Sequence, residues 1–149
     1  MALSVRELHD RIVAQLGDLE GWNKSRVGHD LFGRDARELA HHAWAVAVPK
    51  SVPTSVPERQ RARGQETTRA TVATSTLSIR WSRQLRAADR DGDLASGYDD
   101  ELVLVDAVLD LDIARDLGIR WTGAERVEVP GYLVGRLTFE VLHRMPLEV

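Results

Sequence analysis

The sequence contains no cysteine, which excludes both a disulfide framework and a thiolate metal site. Lysine is almost absent: there are two, Lys24 and Lys50, against 18 arginines, a ratio that reads as coding bias. No apolar run approaches the roughly 20 residues that cross a bilayer. The opening MALSVRELHD carries charges where a signal peptide has its apolar core. The expectation is a cytoplasmic product with no membrane partner. Also missing are the phosphate loops GxGxxG and GxxxxGKS and the Gly-x-Ser-x-Gly nucleophile elbow. Nothing argues for an enzyme or a cofactor.

What is present suits one globular domain over residues 1–149: 43 % of residues are hydrophobic and 29 % charged. The net charge of −3 hides an asymmetry. Residues 1–86 hold 14 Lys/Arg against 9 Asp/Glu, and residues 87–149 hold 6 against 14. Such a division marks a nucleic-acid face, a subunit whose basic end meets a neighbour's acidic end, or two independently solvated surfaces.

Residues 4–19 predict an amphipathic helix. Ser4 and Glu7 have capping-box spacing, Val5, Leu8, Ile12, Leu16 and Leu19 form one stripe, and Gly21 follows as a stop. Residues 22–40 predict an ordered connection with a helical turn near 35–40. From His41, the alternation of Trp44, Val46 and Val48 with alanines predicts a strand ended by Pro49. Residues 50–66 have no periodicity, two prolines, and Arg59, Arg61 and Arg63 on alternate positions, so they predict a long mobile basic loop. Residues 68–86 read as a long strand, with Leu77, Ile79, Trp81 and Leu85 inward and Thr76, Ser78, Arg80 and Ser82 on a wet face.

The stretch DRDGDLASGYDDE, residues 89–101, opens like a calcium loop. With Asp89 first, however, Leu94 stands where a Gly must make the turn, Asp100 stands where a bidentate Glu is normal, and a strand leads in. It is expected to be a solvated strand-to-helix turn whose last acids cap a second helix through Leu102, Val105, Val108 or Leu109, and Ile113. The adjacent His41 and His42 would point to opposite faces of a strand, so no metal site is expected there. Strands over Ile119–Val129 and Gly131–Arg144 close the chain. The order α-β-β-α-β-β predicts an α+β fold, a mostly antiparallel four-stranded sheet with two helices on one face.

Three stretches, LFGRDARELAHHAWAVAVP, VATSTLSIRWSRQLRAADRDGDLASGYDDELVLVDAVL and GYLVGRLTFEVLHRMPL, together resemble tail terminator proteins of long-tailed phages. These are the minor tail protein U type, with prophage and gene-transfer-agent versions. The resemblance covers roughly residues 30–149. It implies a homo-hexameric ring that caps the completed tail tube, stops its polymerisation and provides the head-joining surface. The implied partners are the major tail tube protein and a head-completion or connector protein, with DNA passing through the lumen unread. The implied location is the host cytoplasm during assembly and then the virion. It carries over no catalytic residue. A ring needs two different complementary patches, and the candidates are Arg59, Arg61 and Arg63 on one side and Asp89, Asp91 and Asp93 on the other. The alternatives are a head-completion or neck adaptor, and a small nucleic-acid-binding module using the Arg-rich loop.

Overall fold

A computed structural model of the chain describes residues 3–53, 70–111 and 118–146, except that nothing is said of the side chains of residues 70, 71 and 146. The loop with Arg59, Arg61 and Arg63, and the expected helical position Ile113, lie outside the described residues.

Helix α1 spans Val5–Gly17 and starts as its capping residues dictate. The Glu7 N–H donates to Ser4 Oγ at 3.1 Å, and the Ser4 N–H reaches back to Glu7 Oε1 at 3.4 Å. Leu8, Ile12 and Leu16 form its buried stripe. A turn through Gly21, at φ +81°, leads into the short strand β1, Asn23–Lys24. Two 3₁₀ turns, His29–Leu31 and Ala36–Glu38, follow; the second is the expected turn near 35–40. Strands β2 (Ala43–Pro53) and β3 (Ala70–Gln84) precede helix α2 (Arg90–Leu109), and β4 (Ile119–Val129) and β5 (Tyr132–Pro146) complete the order.

The fold is α+β, with two helices packed on one sheet face, but the sheet departs from expectation. It has five strands in the order β1-β2-β3-β5-β4, and it is mixed because β1 runs parallel to β2 while the other pairs are antiparallel. A two-residue strand has too few positions to show a period, so β1 leaves no trace in the hydrophobic pattern. Pro49 does not end β2. The ladder is interrupted between Ala47 and Lys50, which accommodates a residue without an N–H, and pairing resumes to Pro53.

Trp44, Ile79, Trp81, Leu137 and Phe139 face the helices and join Leu8, Ile12, Leu16, Leu104 and Val108 in the main core. Gly135 lies directly opposite Trp81, and a Cβ there would fall 2.2 Å from the indole, so glycine makes room for the ring. The opposite face is not wholly wet. Residues 25–40 fold across one end of it, where Phe32 and Leu39 pack on Ala43, Ala45 and Val134. Ser82 is therefore buried and donates to the Ala40 carbonyl at 2.6 Å, and Ser78 is buried beside His29 Nε2 at 3.0 Å. No helix among the described residues is long and apolar enough to cross a membrane.

Candidate functional site

The Asp-rich segment is not a turn. Helix α2 begins at Arg90, so most of the expected loop is helical. Asp89 and Asp91 are exposed at its N-terminal end, where the helix dipole favours negative charge. Asp93 is turned inward and only 2 % exposed. Its carboxylate accepts from Arg86 Nε and Nη2, each at 3.0 Å, and from the Arg86 backbone N–H at 2.8 Å. The side-chain bonds and then the backbone bond hold the Asp93 pKa down to about 2, and Asp93 raises that of Arg86 in return.

Asp93 opens a line of charge along the inner side of α2. Asp93, Gly97 and Glu101 are all buried at helical spacing, and Asp100 stands beside them. Arg83 of β3 donates from Nη1 to Asp100 Oδ2 at 2.7 Å, and its Nη2 lies 3.8 Å from Asp93. His42 Nε2 is 3.0 Å from the same Asp100 oxygen and 3.1 Å from Arg83 Nη1. One nitrogen cannot donate and accept at once. The carboxylate demands a donor, so His42 carries its proton on Nε2 and meets Arg83 only as a contact. Farther along, Arg126 of β4 donates to Glu101 Oε2 from Nε at 2.8 Å and lies over the Tyr98 ring at 5.3 Å.

His41 and His42 do not point apart. His42 has φ +53°, outside strand geometry, and the two rings stack at 3.9 Å with Trp22 beyond His42 at 4.3 Å. Burial, then the neighbouring His42 and Arg83 charges, lowers the His41 pKa. His41, Arg83, Gln84, Arg86 and Asp93 line an open recess of about 270 Å³. Its cations are already matched by carboxylates, so it offers no spare charge to a ligand. Among the described residues no group of three His, Asp or Glu has metal-binding geometry.

A second polar chain resembles a catalytic pair and is not one. His143 Nδ1 donates to the Leu3 carbonyl at 2.9 Å, Nε2 accepts from Ser75 Oγ at 2.6 Å, and Ser51 Oγ lies 2.7 Å from Ser75. Ser75 and His143 are buried with no access for a substrate, so the chain ties Leu3 to the sheet.

The outward face of α2 carries the other distinctive surface. Tyr98, Leu102 and Leu109 fall within one narrow strip of the helix, at exposures of 51 %, 52 % and 39 %, with exposed Val103 farther round. Asp99, Asp106 and Asp110 lie between that strip and Val103. The sequence pattern singles out Asp89, Asp91 and Asp93 and gives no sign of Arg83, Arg86 and Arg126; Glu101, expected among the acids capping the helix, is instead buried within it. The Asp93–Gly97–Glu101 spacing was the signal that could have found them. No family model matches the chain, and no curated protein matches it.

Proposed function

We propose that this chain is a ring-forming structural protein of a phage-type tail, a tail terminator. In this reading it caps the finished tube, stops its polymerisation and offers the surface that joins the head. The carrying observation is the outward strip of α2. Three half-exposed apolar side chains in line, bordered by acids, form a surface suited to covering by a partner. The occupant is the next copy of the same chain. An acidic-apolar patch calls for a basic counterpart, and Arg59, Arg61 and Arg63 supply one, giving the head-to-tail contact from which rings are built. The element order, with two helices on one face of an antiparallel-dominated sheet, is compatible with this family. Exposed Asp89 and Asp91 facing a lumen would repel passing DNA rather than bind it. The role needs no catalytic step.

The test is assembly. Native mass spectrometry and negative-stain imaging with tail tubes are expected to show a species of six 16.6 kDa chains seated on tube ends. Persistent monomers that ignore the tubes would overturn the reading.

A further inference from the structure

Arg80 and Arg136 are direct partners across β3 and β5. Their neighbours Ile79, Trp81 and Leu137 face the helices, so both arginines project from the other side of the sheet. Like charges directly opposite each other destabilise a sheet unless something of opposite sign lies between them. Arg136 has such a partner, with Nη2 donating to Glu125 Oε2 at 2.7 Å. Arg80 has none: its Nη1 donates to the Phe32 carbonyl at 3.1 Å, and among the described residues no carboxylate pairs with it. The excess charge is felt nearby. After burial, Arg80 is the largest cause of the lowered His29 pKa; Asp30 opposes it and Arg136 adds to it.

The chain also leaves space over this pair. Phe32, Gly33, Arg80, Glu125, Val134 and Arg136 line a recess of about 260 Å³. Gly33 sits at φ +84°, a left-handed turn just past Phe32 that glycine adopts without strain. The recess is apolar on the Phe32 and Val134 side and cationic on its floor. A half-buried guanidinium held by one carbonyl keeps donors in a fixed fork, the arrangement suited to a planar or tetrahedral oxyanion.

We propose that this recess is an oxyanion-binding site in which Arg80 and Arg136 each donate to one oxygen of a carboxylate or phosphate group. Glu125 is the internal competitor, holding Arg136 in place and weakening the site until the ligand displaces it. The site does not depend on the ring reading, because a monomer would bind the anion equally well.

The experiment is an NMR titration of the full chain with inorganic phosphate, at ionic strength matched with sodium chloride. Saturable shifts are expected at the Phe32 and Gly33 amides and the Arg80 Nε. Arg80→Gln is expected to weaken binding at least about tenfold, the loss of a charge-assisted hydrogen bond. Arg136→Gln is expected to weaken it as well, and it keeps the test valid if Arg80→Gln fails to fold. Glu125→Gln is expected to tighten it. Shifts that never saturate, that match in wild type and variants, or that centre elsewhere would overturn the proposal. Sedimentation at high protein concentration separates the ligand sources. Association that phosphate reverses assigns the pocket to a carboxylate of a second copy, and association indifferent to phosphate assigns it to a free anion.

Discussion

Arg86 and Asp93 meet at the start of α2 through three hydrogen bonds, two from the guanidinium at 3.0 Å and one from the Arg86 backbone at 2.8 Å. The helix has no side-chain cap at Asp89, and this bond set, which satisfies the Arg86 N–H ahead of the helix, ties its first turn to the end of β3.

That relationship has a pH signature. The folded pKa of Asp93, about 2, lies below the ordinary aspartate value of 3.8, so its contribution to stability is present above the unfolded value. It is lost as pH falls from there through the folded value. Asp93→Asn is expected to lower the urea midpoint at neutral pH. The gap to wild type should narrow as pH falls from about 4 toward 2. A gap that stays constant across that range would assign the effect to shape rather than charge.

The two close approaches across the core should respond unequally. A Cβ at Gly135 would sit 2.2 Å from the Trp81 ring, which is rigid and walled in. Gly135→Ala is expected to destabilise by about 1–3 kcal/mol or more, as overpacking does. At Gly97 the nearest atom is Leu133 Cδ2 at 2.6 Å, the far end of a flexible side chain. Gly97→Ala should therefore be the milder change in chemical denaturation, and equal losses would mean that the helix cannot shift.

Ser75→Ala leaves His143 Nε2 buried without its partner. The expected loss is about 1–3 kcal/mol. It should be accompanied by faster hydrogen exchange at the Leu3 amide, which donates to the Arg144 carbonyl at 2.6 Å. Unchanged exchange at Leu3 would separate the polar chain from the anchoring of the N-terminal segment.

The parts of the fold legible in advance were those whose burial follows one period. Trp44 with Val46, Leu77 with Ile79 and Trp81, and Leu137 with Phe139 alternate cleanly because one sheet face meets both helices. The start of α2 was not legible, because its buried face is written in acids and glycine. Asp93, Gly97 and Glu101 look like a loop until Arg86, Arg83 and Arg126 arrive from the β3–α2 connection, β3 and β4 to pair with Asp93, Asp100 and Glu101. Similarly, Ser78 and Ser82 read as wet because the cover over them comes from the irregular segment 25–40, which has no period of its own. The candidate site divides along the same line. Asp89 and Asp91 are exposed, while Asp93 is buried and committed to Arg86.

The ring reading makes its sharpest prediction on charge. If the strip of Tyr98, Leu102 and Leu109 meets the Arg59–Arg63 segment of the next copy, the bordering acids set which partner is accepted. Asp99→Arg with Asp106→Arg changes two exposed helix positions, so the monomer's melting temperature should move little. Assembly on tail tubes, counted by negative stain, should nevertheless be lost. Arg59→Asp with Arg61→Asp should abolish it separately, and the four changes combined in one chain should restore it in part, since each new contact again joins opposite charges. Leu102→Asp serves as the control: it removes apolar contact rather than reversing an acid, so the arginine reversals should not rescue it. Assembly that survives the double reversal on α2 would move the interface elsewhere on the molecule.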